Sequence, residues 1–204
     1  MMKPVISNIS EDGPIYKFTL SGLNVSLANA LRRTIMSDIP VVGFYTETYE
    51  NNECNITINT SRLHNEILKH RLSCIPVVMQ DLDMLPGNYI VDVDVENNTD
   101  STMYVTTEHF RIKNKETGNY LTDTEQHKIF PKSPVTNMFI DFASLRGKVS
   151  NTIPGERIAF TSEFSVHTAK ENGIYNVVSN CVYGNTIDNV KAKNVWEEQE
   201  NKLK

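Results

Sequence analysis

The stretch Asn24 to Pro40, NVSLANALRRTIMSDIP, constrains this chain more than any other, because it combines a helix start, a helix stop and one apolar arc. At about 3.6 residues per turn, Leu27, Ala28, Ala30, Leu31, Thr34 and Ile35 gather on one side, while Asn29, Arg32, Arg33 and Met36 fall opposite. Asn24 or Ser26 can accept an orphan backbone N–H at the N-terminus, and Pro40 cannot continue a helix, so the element is about three to four turns long. One face is built to be buried. On the wheel alone, the bland reading is a helix of the protein's own core.

The flanking segments read as strands. Before the helix, Tyr16, Phe18 and Leu20 alternate with Lys17 and Thr19, the period-two pattern of a half-buried strand. After it, Val41 to Tyr49 and Cys54 to Asn59 read as a hairpin turning at Glu50-Asn51-Asn52-Glu53. A second short helix is expected from about Arg62 to Ser73, capped by Thr60 or Ser61 and stopped before Pro76. Its apolar arc, built on Leu63, Ile67, Leu68 and Leu72, contains His64 and Arg71, which must snorkel, be paired, or meet a polar group from elsewhere.

From Leu82 onward the texture turns to strands. Val91, Val93 and Val95 face one way and Asp92, Asp94 and Glu96 the other; Met103 to Ile112 continues the sheet, and Asn137 to Phe142 is a further strand candidate. Lys115 to Asn119 has a turn composition, and the prolines between Phe130 and Pro134 mark an irregular crossing. After Pro154-Gly155-Glu156, Ile158, Phe160, Phe164 and Val166 share one parity, giving a long strand. A last apolar run covers Tyr175 to Tyr183, and Asp188 to Lys204 reads as a charged, exposed helix carrying Trp196.

Composition removes several function classes. A net charge of −5 over 204 residues is at odds with a surface that neutralises phosphates, so no direct contact with nucleic acid is expected. Cys54, Cys74 and Cys181 form neither a disulfide framework nor a CxxC site, which favours an intracellular protein. The start MMKPVISNISEDGP lacks the basic and apolar regions of a signal peptide, and no run approaches the roughly 18 apolar residues of a membrane span.

Candidate chemistry is sparse. His64, His70 and Cys74 do not share the i,i+4 face that a metal-binding histidine pair needs. Asp92, Asp94 and Glu96 read as a solvated sheet face rather than a cation site. A thiol nucleophile at Cys74 activated by His70 has no glycine-rich oxyanion turn beside it, and Cys74 reads better as a helix-end packing residue. No phosphate-binding glycine loop, GxSxG or HExxH occurs, so catalytic residues, metal and cofactors are all expected to be none.

Taken together, LANALRRTIMSDIP and LHNEILKHRLSCIPV resemble the alpha-like subunits of multisubunit DNA-directed RNA polymerases: bacterial alpha for the first segment, the archaeal alpha-like subunit and the eukaryotic third subunit for both. The matching positions are Asn29, Ala30, Leu31, Arg32, Arg33 and Pro40, then His64, Glu66, Ile67, His70, Arg71, Leu72, Ile75 and Pro76. PGERIAFTSEFSVHTAKENG is similar to the family's return strand and its lysine- and glycine-containing turn, so the resemblance covers about half the chain.

The resemblance implies an α+β fold: an alpha-like dimerisation domain of helices on an antiparallel sheet, residues 1–78 with 155–204, interrupted by a β-rich insert domain at 79–154. It implies a non-catalytic assembly subunit that pairs with a smaller alpha-like subunit, docks the second-largest and largest catalytic subunits, and meets small accessory subunits. The partner-subunit interface is expected at Leu27, Ala30, Leu31, Ile35, Leu68 and Leu72, and the docking face for the large subunits at Arg32, Arg33, His64, Glu66 and Arg71. Arg71 and His64 are expected to be satisfied by a partner or by a carboxylate such as Glu47.

Three departures from the family stand out. The insert contains no cysteine, whereas some members carry metal-binding clusters there. The loop before LHNEIL is longer than usual. Finally, no family-like strand and helix follow Gly184, so either the charged tail replaces them or the chain is a piece of a longer protein. Some large DNA viruses fuse the two alpha-like partners, and the asparagine-rich composition is in keeping with such a source.

Overall fold

The structure, a computed structural model, describes residues 3–150 and 152–203. The chain forms two compact units, residues 1–36 with 178–204, and residues 37–177.

The first unit opens with a hairpin of β1 (Val5–Asp12) and β2 (Ile15–Ser21), whose register is broken by a bulge between Ser7 and Ser10 where Asn8 takes a φ of +51°. Helix α1 (Val25–Ser37) follows. Its N-terminus is capped as expected: Leu27 N–H donates to Asn24 Oδ1 at 2.9 Å.

The second unit holds β3 (Pro40–Gly43), β4 (Cys54–Asn59), α2 (Asn65–Ser73), β5 (Tyr89–Glu96), β6 (Met103–Thr106), β7 (Arg111–Asn114), α3 (Asp123–Ile129), β8 (Asp141–Leu145), β9 (Arg157–Glu163) and β10 (Ser165–Thr168). Its main sheet is antiparallel in the order β4-β9-β5-β7, with two-stranded sheets β10-β3 and β6-β8 beside it. The chain ends in α4 (Asn189–Leu203), which belongs to the first unit.

The core of the second unit is aromatic. Phe110 meets Phe130, Phe142 and Phe160 edge-on at 5.4 to 5.7 Å, and Phe44 packs on Phe164 at 5.1 Å. Val91 and Val93 of β5 and Leu68 and Leu72 of α2 close the same cluster. The polar side chain of Asn97 is sealed in as well; its amide donates to the carbonyls of Ser101 and Leu145 at 2.8 and 2.9 Å, and its oxygen accepts from Thr99 N–H at 3.0 Å. Gly155 is required there, because a side chain at that position would collide with the Asn97 carbonyl.

Several expectations are corrected. Val41 to Asn59 is not a hairpin: β3 pairs with β10 and β4 with β9, so its two strands enter different sheets. The long strand after Pro154 is likewise two, β9 and β10, divided at the buried Phe164. Met103 to Ile112 splits too, with β6 pairing β8 while β7 pairs β5. Helix α2 starts at Asn65, because Asn59 and Ser61 spend their side chains on a preceding turn. The run Tyr175 to Tyr183 forms neither helix nor strand beyond Tyr175, which closes the one-turn 3-10 helix Gly173–Tyr175.

The division expected at 79 and 154 cuts across the main sheet. β5, from the segment read as an insert, pairs with β9 over seven positions, from Ile90↔Glu163 to Glu96↔Arg157, and shares its core with α2. The change of texture at residue 79 marks a change from helix to strand within one core.

Candidate subunit interface

Helix α1 has no buried residue. Leu27 is 57% exposed and Leu31 39%, Ala30 and Thr34 on the same arc are exposed, and Ile35 is half-buried. The arc that the sequence builds for burial therefore stands largely open. Opposite it, Arg32 is held along the helix, donating from Nε to Asn29 Oδ1 at 3.1 Å and lying 3.4 Å from Met36 Sδ. Arg33 is exposed on the same side.

The hairpin beside α1 in sequence shows the same excess of apolar surface. Ile6, Ile9, Ile15 and Tyr16 are each more than half exposed, and Tyr16 and Phe18 touch at 5.9 Å on one face of β2. Exposed apolar side chains in this number on a short hairpin make it a candidate contact area. Composition hides this, since the hairpin also carries Ser7, Ser10, Thr19 and Ser21. The signal is the parity of Tyr16, Phe18 and Leu20, which on sequence alone fits the protein's own interior equally well.

Helix α2 behaves differently. Leu68 and Leu72 are 1% and 0% exposed, packed in the second unit's own core, so the expectation that they form a partner interface is corrected: no apolar surface remains on them to offer. Arg71 is not satisfied by Glu47. Its Nε donates to the Phe142 carbonyl at 2.6 Å and an Nη to the Asp141 carbonyl at 3.0 Å, pinning α2 to β8. Glu47 instead accepts from the Asn172 amide. His64, at the N-cap position, and Glu66 are exposed and line a shallow cleft with Asn59, Ser61, Arg62 and Asn65.

The alternative chemistries find little geometry. Cys74 is exposed at the C-cap of α2, its backbone N–H donating to the Arg71 carbonyl while Ile75 N–H donates to that of Leu72, and no hydrogen bond joins it to His70 among the described residues. Cys54 is buried, which pushes its thiol up to about 11 and makes it inert. On the outer sheet face Asp92 and Asp94 already have protein partners. Arg157 forks onto Asp94 at 2.8 and 2.6 Å, a hydrogen bond that holds the Asp94 carboxyl below its usual range. Tyr120 donates to Asp92 at 2.6 Å with the Arg111 guanidinium 4.9 Å from its ring centre.

Comparison with known proteins matches residues 17–200 to the RNA polymerase Rpb3/Rpb11 dimerisation domain family. The chain is 37% identical over 93 residues to DNA-directed RNA polymerase subunit Rpo3 of Pyrococcus furiosus, a stretch covering 43% of this chain and 33% of that protein. It is 34% identical over 109 residues to the Rpo3 of Pyrococcus horikoshii, covering 51% and 39%, and 31% identical over 99 residues to DNA-directed RNA polymerase II subunit RPB3 of Schizosaccharomyces pombe, covering 48% and 29%. The aligned stretches thus span about a third of those relatives. The family match runs from β2 to α4, taking in the exposed arc of α1: this chain belongs to the RNA polymerase Rpb3/Rpb11 dimerisation domain family and is an alpha-like RNA polymerase subunit.

Proposed function

We propose that this chain is a non-catalytic assembly subunit of a DNA-directed RNA polymerase. It pairs with a smaller alpha-like subunit, and the pair forms a platform on which the second-largest and then the largest catalytic subunits dock, with small accessory subunits around it. The observation that carries the reading is the open apolar arc of α1, at Leu27, Ala30, Leu31 and Ile35, in a helix with no buried residue. A surface of that kind gains about 25 cal/mol per Å² when a partner covers it.

Arg32 and Arg33, across the helix from that arc, supply charged contacts to a large subunit, as do His64 and Glu66 at the exposed start of α2. Arg71 contributes indirectly, by holding α2 on β8. The setting is intracellular, where the polymerase works, and nucleic acid is reached through the large subunits.

Co-expression with the smaller alpha-like subunit tests the reading. A stable 1:1 pair is expected, and the chain alone should self-associate. A monomer that ignores the partner in a pull-down would remove the proposal's basis.

A further inference from the structure

Of the nine glycines in the chain, only Gly173 follows an asparagine, and the Asn172-Gly173 pair lies in the turn after β10. An asparagine before glycine is open to cyclisation, because the attacking backbone nitrogen belongs to a residue with no side chain to hinder it. Gly173 is exposed, and a side chain there would meet nothing within 4 Å. The attacking atom is therefore unobstructed.

The fold holds the attacked atom out of reach. Asn172 Oδ1 accepts from Ile174 N–H at 3.1 Å, an Asx turn that starts the 3-10 helix, and the carboxamide nitrogen donates to Glu47 on the loop between β3 and β4. The backbone is tied as well: the Asn172 carbonyl accepts from Tyr175 N–H at 3.1 Å, and Asn172 N–H donates to the Thr168 carbonyl at 3.4 Å. Ring closure needs Cβ and the Gly173 nitrogen eclipsed across the Asn172 Cα–C bond, whereas Asn172 is extended, with φ −151° and ψ 136°. The eclipsed arrangement lies outside the regions open to an L-residue, so these bonds must be released before the ring can form.

We propose that Asn172 is a site of spontaneous deamidation which the folded turn holds closed, with Glu47 as its latch. When the turn opens, the Gly173 nitrogen gives up its proton and bonds to Asn172 Cγ; the Cγ–Nδ2 bond breaks, and ammonia leaves with that proton. Water, the sole co-reactant, then opens the succinimide at either carbonyl and leaves aspartate or isoaspartate. Neither product can close the latch again, because a carboxylate only accepts hydrogen bonds and Glu47 is left facing a second acceptor. Isoaspartate also adds a methylene to the backbone of the turn. That turn carries Tyr175, whose O–H donates to the Phe44 carbonyl at 3.1 Å, so a single opening leaves a permanent mark beside the core. The site does not depend on the polymerase reading.

Ageing the full chain at pH 8 beside the synthetic peptide AKENGIYN tests this, with fragmentation mass spectrometry to place the new acid at residue 172. The peptide should convert fastest, and the folded wild type should lag it by about tenfold or more. Glu47→Ala removes the latch and should speed conversion by about fivefold over wild type, the scale of one hydrogen bond. Glu47 is exposed, so the variant should fold, which circular dichroism checks; should it not, Glu47→Leu, which also lacks an acceptor, takes its place. Gly173→Ala should slow the reaction in chain and peptide alike. Wild-type conversion as fast as the peptide's overturns the proposal. So do equal rates in the wild type and the folded Glu47 variant, or a Gly173→Ala chain that converts as fast as wild type.

Discussion

Replacing Leu31 by aspartate separates pairing from folding. Leu31 keeps 39% of its surface exposed in the isolated chain. Burying a whole leucine side chain is worth about 1.5–3 kcal/mol, so a partner that covers the remainder gains about 1 kcal/mol from this residue. An aspartate at the same contact loses that gain and also strands a carboxylate in apolar surroundings, which costs several kcal/mol more. The sum, about 4 kcal/mol, predicts pair affinity weakened by about a thousandfold. Leu31→Ala removes only the transfer part and should weaken it by about fivefold. Because α1 has no buried residue, neither change should unfold the chain, and its circular dichroism melt should stay close to wild type. Analytical ultracentrifugation of the chain with the smaller alpha-like subunit measures the affinity directly. A Leu31→Asp pair within threefold of wild type would refute the assignment of this arc to the interface.

Other perturbations probe the second unit. Leu68→Ala empties part of a sealed core and should cost about 2–5 kcal/mol in urea denaturation while leaving any α1-mediated pairing intact at temperatures where the variant is folded. Gly43→Ala puts a methyl group 2.8 Å from the Tyr175 ring, whose hydroxyl is tied to Phe44, and should destabilise by about 1–3 kcal/mol. With iodoacetamide at pH 8, mass spectrometry should find Cys74 alkylated and Cys54 spared until denaturant is added; early modification of Cys54 would contradict its burial. Asp94, held below the usual carboxylate range by Arg157, adds stability that is present above the ordinary aspartate value and is lost as pH falls through its lowered one. The stability gap between wild type and Asp94→Asn should therefore close on acidification through that window.

Local structure and family are legible in the sequence because they rest on short-range signals. Asn24 as a cap, the 3.6-residue arc of α1, the parity of Val91 and Val93, and the charged α4 all appear where periodicity puts them. Pairing is not legible. The alternation in Val41 to Asn59 says that each segment is a strand but carries no information on which strand it meets, and a one-residue break at Phe164 is enough to send β9 and β10 to different sheets. The fate of the leucines is hidden for the same reason. Leu31 and Leu68 sit on similar arcs, and only the packing of β4 and β8 on α2, within the second unit's core, makes one a core residue and leaves the other open. Arg71 looks misplaced on its wheel until β8 arrives with two free carbonyls.

The interruption of the first unit by residues 37–177 has a consequence for biosynthesis. The hairpin and α1 leave the ribosome before residues 37–177, yet the rest of their unit, residues 178–204, follows only after them. Closing a loop as long as the intervening segment costs more entropy than closing a short one, by about 2 kcal/mol for a shortening of roughly tenfold. A folded second unit supplies that shortening, because the Ser37 carbonyl and the Lys170 amide already hold its two ends together. The first unit should thus fold after the second, and its apolar arc should become a defined surface only after synthesis has passed residue 178. Premature pairing on a nascent chain is thereby disfavoured by the order in which the polypeptide is wound.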